Sequence, residues 1–77
     1  MVTGLVLVRL EAGKENKALE KIKSVRGISH VCAVFGRWDL VVDVEADDLQ
    51  MMTTVVVSKL RAIDGVVGTE TLVTTAI

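Results

Sequence analysis

Residues 5–12, Leu-Val-Leu-Val-Arg-Leu-Glu-Ala, and residues 40–46, Leu-Val-Val-Asp-Val-Glu-Ala, are two aliphatic runs that both end in Glu-Ala. Residues of this type favour strands. A second similarity follows each run, because residues 23–28, Lys-Ser-Val-Arg-Gly-Ile, resemble residues 61–66, Arg-Ala-Ile-Asp-Gly-Val. Each pairs a basic residue with an apolar one, a glycine and a β-branched residue. The chain is therefore predicted to consist of two similar βαβ units in series.

Apolar residues at helical spacing lie between the predicted strands of each unit and indicate two amphipathic helices. Those of the first helix are Ala18, Leu19, Ile22 and Val25. Those of the second are Leu49, Met52, Val56, Leu60 and Ile63. Asp47 is predicted to cap the second helix, with Gln50 three residues on as in a variant capping box. Gly27 and Gly65 are predicted to adopt the left-handed conformation that ends a helix.

The resulting order of elements is the split βαβ pattern, which predicts an α+β, ferredoxin-like βαββαβ fold. Its four-stranded antiparallel sheet would carry both helices on one face. Alternation along the strands predicts the facing of each side chain. The residues predicted to meet the helices are Val6, Val8 and Leu10. Those predicted to lie on the opposite, open face are Leu5, Leu7, Arg9, Val41 and Asp43.

Size and composition favour a domain that associates with itself. Residues 1–77 are predicted to form one domain, and a chain this short buries only about 60 to 65 per cent of its unfolded surface. Its hydrophobic residues nevertheless make up 51%. Apolar residues that one small core cannot bury form a patch on the surface, and such a patch marks an interface. We therefore expect a homodimer that forms through the open sheet face, with Arg9 paired to Asp43 on the neighbouring strand.

Charge and segment composition exclude several classes of partner. Nine basic and ten acidic residues give a net charge of -1, so no strong field attracts nucleic acid or an anionic membrane. The single cysteine has no internal disulfide partner, and neither a secretory signal nor an 18-residue apolar run occurs. These features predict a soluble cytoplasmic protein.

Candidates for catalysis or metal binding are few. His30 and Cys32 alternate along the second predicted strand, yet a structural zinc needs four ligands and the chain has one histidine and one cysteine. Cys32 is instead predicted to be a small buried hydrophobe. Phosphate-binding glycine loops and nucleophile-elbow motifs do not occur. We therefore expect no metal, no cofactor and no enzymatic activity.

Both aromatic residues of the chain, Phe35 and Trp38, lie in the stretch Phe35-Gly36-Arg37-Trp38-Asp39. Glycine gives unshielded amides here, and Arg37 and Asp39 add opposite charges. These groups complement a zwitterion such as an amino acid, with Trp38 shielding it from water. The alternative is a hairpin whose tryptophan packs against a sheet edge. The local residues favour neither interpretation over the other.

Three segments together resemble a known family: Phe-Gly-Arg-Trp-Asp-Leu at residues 35–40, Glu-Ala-Asp-Asp-Leu at residues 45–49, and Asp-Gly-Val at residues 64–66 followed by Thr69-Glu70-Thr71. They are similar to the effector-binding domain of Lrp/AsnC regulators, also called RAM for regulation of amino acid metabolism. The resemblance extends from about Val2 to Thr75. It implies a ferredoxin-like fold, dimers paired through their sheets, rings of dimers that are commonly octamers, and amino acid effectors held between dimers.

The resemblance also implies an effector site. Matched by position, Gly36 would offer backbone amides and Asp39 a carboxylate, with Arg37 and Trp38 beside them. The threonines of the last strand, Thr69 and Thr71, would add hydroxyls. Trp38 stands where the family more often has tyrosine, which removes a hydroxyl from the pocket.

The length of the chain resembles the stand-alone form of this domain, without the helix-turn-helix that reads DNA in full family members. We therefore expect no sequence-specific DNA binding by the chain itself and a role in transcription regulation that passes through partners, such as full-length Lrp/AsnC regulators. Two alternatives stay open. One is a small enzyme of the dimeric α+β barrel type that uses His30, Cys32 or Asp39, and the other is a purely structural oligomer.

Overall fold

Four strands and two helical regions follow one another in the predicted order. The structure is a computed structural model that describes residues 1–73, with Val55 described by its backbone alone. The strands and the first helix are β1 (Val2–Leu10), α1 (Glu15–Lys23), β2 (Ile28–Ala33), β3 (Leu40–Ala46) and β4 (Val66–Val73). The second helix consists of three consecutive segments: α2 (Leu49–Met51), a π-helical segment (Met52–Val56) and α3 (Val57–Arg61). Thr74 and Thr75, where the family resemblance ends, lie outside the described residues.

The strands form a single antiparallel sheet in the order β2-β3-β1-β4. The central strands β1 and β3 pair in a register that places Val6 opposite Val42 and Val8 opposite Leu40. β2 and β4 are the edge strands, and each leaves one row of backbone groups without a partner strand in the described chain. This topology confirms the predicted ferredoxin-like α+β fold.

Besides the pairing of β1 with β3 and β4, a reciprocal pair of backbone hydrogen bonds joins the two halves. The Glu45 amide donates to the Gly27 carbonyl at 2.8 Å, and the Glu11 amide donates to the Gly65 carbonyl at 2.7 Å. Both glycines have left-handed φ values, 101° and 100°. The helices end earlier than predicted, at Lys23 and Arg61, so each glycine lies in the turn that leads into the next strand. The internal repeat seen in the sequence is therefore a structural repeat.

The hydrophobic core lies between one face of the sheet and the two helices. The sheet contributes Val6, Val8, Leu40, Val42 and Val44. The helices contribute Ala18, Ile22, Met52, Val56, Val57 and Leu60. The predicted facing of β1 and β3 is confirmed, since Leu5, Leu7 and Val41 are only half-buried on the opposite face.

Two predictions for the second helix are wrong. Its cap is Asp48, whose Oδ1 accepts a hydrogen bond from the Met51 amide at 2.7 Å, so Asp47 and Gln50 form no capping box. Leu49 is 52% exposed instead of buried. It occupies the first helical position beside the cap, and the first buried residue of the helix is Met52, three residues further on.

Two further predictions are wrong, the pairing of Arg9 with Asp43 and the burial of Cys32. Asp43 pairs with Leu5, four residues along β1 from Arg9, which separates Arg9 from Asp43 by about 13 Å at the usual strand rise. No ion pair joins Arg9 and Asp43, among the residues that the structure describes. Cys32 is exposed because it pairs with Val41, and its side chain therefore points to the open face.

The glycine turns give a first prediction. A Cβ at Gly27 would lie 2.9 Å from Val56 Cγ2 and 3.1 Å from the Glu45 carbonyl oxygen, whereas a Cβ at Gly13 would meet nothing within 4 Å at a similar φ of 91°. We expect Gly13→Ala to cost about 1–3 kcal/mol of the unfolding free energy for its backbone conformation. Gly27→Ala should cost more, because a contact is added to the same strain. Urea denaturation measures both, and equal losses would contradict this account.

Candidate functional site

The segment that joins β2 to β3 is fixed to β1 through Asp39. The Asp39 amide donates to the Val8 carbonyl at 2.9 Å, and the Asp39 carbonyl accepts from the Val34 amide at 3.0 Å. The Asp39 side chain accepts a further hydrogen bond at Oδ2, from the Leu10 amide at 2.7 Å. One oxygen of the predicted effector-binding carboxylate is therefore already bound to β1. The other, Oδ1, has no protein hydrogen bond within residues 1–73.

Arg9 holds the next part of the same segment from the open face of the sheet. Its Nε and Nη2 atoms donate to the Arg37 carbonyl at 3.2 and 3.0 Å. Its Cζ atom lies 5.2 Å from the centroid of the Trp38 ring, which is cation–π geometry. The ring reaches across to β4, where a Cβ added to Gly68 would come within 3.9 Å of Trp38 Cζ3. Trp38 thus packs on the open face, against Arg9 and Gly68.

The tip of the segment, at Phe35 and Gly36, is more exposed to solvent than its base at Trp38 and Asp39. Phe35 is fully exposed, and Gly36 has a φ of 129° with open space around its Cα. The two aromatic residues therefore have different environments, since Trp38 lies on the sheet and Phe35 projects into solvent. Trp38 packs on the sheet, as the hairpin interpretation predicts, and zwitterion binding at the turn stays a prediction.

Thr69 and Thr71 lie on the other face of the sheet. They pair with Val8 and Val6, whose side chains are buried under the helices. Both threonines line a groove of about 550 Å³ between α3 and β4. The other residues that line it are Val57, Arg61, Val66, Val67 and Gly68.

The six predicted effector-binding residues are consequently divided within one chain. Trp38 lies on the open face, with Gly36, Arg37 and Asp39 in the same segment, and the two threonines lie on the helix face. Arg61, a charged residue of the groove, was missed by sequence reasoning. The sequence signalled it only as the basic residue of the repeated helix end, a position that is usually a solvated surface residue.

Arg61 has no acidic partner within 4.0 Å in the part of the chain that the structure describes. Asp64, three residues further on, is bound instead by Lys14, whose Nζ lies 3.1 Å from Oδ1 and 3.2 Å from Oδ2. The hydrogen bond and charge of Asp64, with a smaller contribution from Glu11, raise the pKa of Lys14 above its ordinary value. Asp64, the acidic residue nearest to Arg61 in sequence, is therefore paired with Lys14.

His30 and Cys32 are both exposed on β2. The Cys32 thiol lies 3.6 Å from the Ala33 carbonyl oxygen. Over residues 1–73, no group of three or more histidine, cysteine and acidic residues is arranged to hold a metal ion. In the same range no helix is long and apolar enough to cross a membrane.

The domain is ferredoxin-like, with a groove between α3 and β4 and a projecting turn between β2 and β3. The sequence profile of the Lrp/AsnC ligand binding domain matches residues 3–76. The chain therefore belongs to the Lrp/AsnC family, as its motifs predict.

Individual relatives agree with this assignment. An uncharacterized HTH-type transcriptional regulator of Pyrococcus horikoshii is 32% identical over 74 residues, which are 92% of this chain and 49% of the relative. The chain thus spans about half the length of the curated relatives it matches. A Thermus thermophilus protein of known structure is 30% identical at a TM-score of 0.90, covering 100% of this chain and 96% of that one. The crystal structure of FFRP-DM1 is 31% identical at a TM-score of 0.89, with 97% and 100% covered.

The contacts of Asp39 give a second prediction. Asp39→Ala removes the acceptor for the Leu10 amide and should cost about 1–3 kcal/mol of the unfolding free energy. Asp39→Asn keeps an acceptor oxygen at this position and should cost clearly less. Chemical denaturation of the two variants tests the assignment. If both are as stable as the wild type, the hydrogen bond to Leu10 does not hold the segment.

Proposed function

We propose that this chain is a non-enzymatic amino-acid-binding and oligomerisation module linked to transcriptional regulation of amino acid metabolism. Membership of the Lrp/AsnC ligand-binding family supports a regulatory, effector-binding role. This proposal rests on one observation: within one chain, Trp38 of the turn lies on the open face of the sheet, whereas Thr69 and Thr71 lie on the helix face. One small ligand in contact with both the turn and the threonines would then take the turn from one copy and the groove from another.

The first contact between copies would use the open face. Leu5, Leu7 and Val41 are half-buried there, and Leu72 beside them on β4 is 46% exposed. A second sheet placed on this face would bury all four and form a two-fold dimer, in which the same surface is used twice. This is the dimer expected from the excess of apolar residues in the composition.

A second contact would join dimers into a ring. The turn at residues 35–39 and the α3–β4 groove are different surfaces of the same molecule, and contacts between different surfaces generate rings when the rotation closes. Phe35 is fully exposed at the tip of the turn, as expected of a residue that packs against another copy. The effector would lie at this contact, near Gly36, Arg37, Trp38 and Asp39 of one copy and Thr69 and Thr71 of the other. The resemblance makes an octamer the expected ring.

Regulation would then act through assembly. An effector that binds at the contact between dimers stabilises the ring in which that contact exists, and so shifts the population of assembly states. With a net charge of -1 the chain has no strong field for DNA, and we propose that it reaches promoters through a full-length Lrp/AsnC partner.

Dimerisation through the open face is tested with Leu72→Lys, which places a charge on that face beside Glu70. We expect sedimentation velocity to show a loss of dimer at micromolar concentration. Leu49→Lys is the matched control, because Leu49 is similarly exposed (52%) but lies at the start of the second helix. A monomeric wild type, or equal effects of the two variants, would contradict the proposed dimer.

Amino acid binding is tested by thermal shift against the twenty common amino acids. A ligand at about 100 times its Kd should stabilise the protein by about 2.7 kcal/mol. Because Trp38 is the only tryptophan, its fluorescence should change with the same ligand. Thr69→Val and Thr71→Val should weaken the shift, whereas Thr53→Val, on the exposed side of the second helix, should not.

The outcomes of this screen separate the alternatives. If no amino acid stabilises the chain, the binding proposal fails and a purely structural oligomer is favoured. If a ligand is converted to a product during the incubation, as followed by mass spectrometry, the non-enzymatic part of the proposal fails and the enzyme of the dimeric α+β barrel type is favoured.

A further inference from the structure

The α3–β4 groove has a chemical character of its own. Arg61 is the one charged residue among the described residues that line it, Thr69 and Thr71 supply two hydroxyl groups, and Val57, Val66 and Val67 supply apolar walls. Val57 is nearly buried, whereas Val67 is 57% exposed at the mouth of the groove. The groove therefore combines one positive charge and two hydrogen-bonding groups with an apolar surface.

The charge of Arg61 is not neutralised within the described part of the chain. Asp64 is the acidic residue nearest to it in sequence, and Asp64 is bound to Lys14 by both carboxylate oxygens. Glu70, between the two threonines on β4, alternates to the opposite face of the sheet. A guanidinium group binds a carboxylate through two parallel hydrogen bonds, a geometry that an ammonium group does not match.

We propose that this groove is a carboxylate-binding site in which Arg61 binds the anionic group of the ligand and the three valines contact an aliphatic tail. The threonine hydroxyls donate further hydrogen bonds to the carboxylate. Within residues 1–73 the lining includes no acidic side chain, so the groove offers an ammonium group no carboxylate partner.

The proposal rests on the proposed function in one respect. For an amino acid, the α-ammonium group would be bound outside the groove, by Oδ1 of Asp39 in the neighbouring copy. The ligand class of the groove is therefore the short aliphatic carboxylic acids, and branched aliphatic amino acids are the members that would use both halves of the site.

Matched ligands separate the contributions of the two groups. Leucine is compared with isocaproate, which lacks the amino group, and with isopentylamine, which lacks the carboxylate. Valine, isovalerate and isobutylamine form a second set, and inorganic phosphate is the anion without a tail. Calorimetric titration of the full chain should show binding of the two acids, tighter binding of the amino acids, and no binding of the amines or of phosphate.

Arg61→Gln should weaken binding of the acids and amino acids at least tenfold. Arg26→Gln is the matched control, because Arg26 is an exposed arginine in the turn after α1 and does not line the groove. Arg61 is itself exposed, so we expect both variants to retain the wild-type melting temperature without ligand. Arg61→Lys should restore binding only in part, since it keeps the charge and loses the paired hydrogen bonds.

Each outcome decides between the two proposals. Amino acid binding that survives Arg61→Gln overturns the assignment of Arg61 and leaves the proposed function in place. Binding of the simple acids without any amino acid supports the carboxylate site and overturns the proposed function. Phosphate binding as tight as that of isocaproate shows a general anion site and overturns the carboxylate assignment. If none of these ligands binds, both proposals fail.

Discussion

The two halves of this protein are interlocked, because β1 of the first half pairs with β3 and β4 of the second and two reciprocal backbone hydrogen bonds close the glycine turns. The Gly27 carbonyl in the first half accepts from the Glu45 amide in the second, and the Gly65 carbonyl in the second half accepts from the Glu11 amide in the first. The packing around the two glycines is reciprocal in the same way, since each glycine lies against the helix of the other half. A Cβ at Gly27 would meet Val56 of the second helix, and a Cβ at Gly65 would meet Ala18 of the first. Each half therefore closes on the other.

This closure determines which surfaces remain for ligands and partners. Because both helices lie on one face, the other face of the sheet keeps its half-buried aliphatic side chains and is available to a second sheet. The edge strand β4 contributes Thr69 and Thr71 to one face and Gly68 to the other, where Trp38 packs. Under the proposed function, a site that combines the turn with the threonines would lie between molecules, and ligand binding would then be coupled to assembly.

The ion pair between Lys14 and Asp64 joins the start of α1 to the turn after α3, close in sequence to Arg61 of the groove. An exposed pair of this kind contributes little to stability. Its position matters more, because Lys14 precedes α1 and Asp64 follows α3, so the bridge crosses between the two halves beside Gly65. Asp64, the acidic residue nearest to Arg61 in sequence, is paired with Lys14. The groove therefore retains a positive charge in a chain whose overall charge is close to zero.

The sequence by itself determined the elements, their order, the facing of β1 and β3, and the two glycine turns, because these follow from local periodicity and from the φ values that glycine tolerates. The family could also be predicted, from an ordered set of short motifs. The site was predicted only as a set of residues. Their division between two faces depends on strand register, which sequence periodicity does not reveal.

Only the tertiary structure decided the partners of individual polar groups. Asp48 and not Asp47 caps the second helix, since the cap is the residue whose extended backbone directs its carboxylate to the Met51 amide. Arg9 binds the Arg37 carbonyl and Trp38 instead of Asp43, Asp39 binds the Leu10 amide, and Cys32 is exposed by its pairing with Val41. Arg61 lines a groove because α3 crosses β4 there. The Asp48 cap is a local contact, three residues from Met51, whereas the other contacts join different elements of the fold and exist only once those elements have packed together.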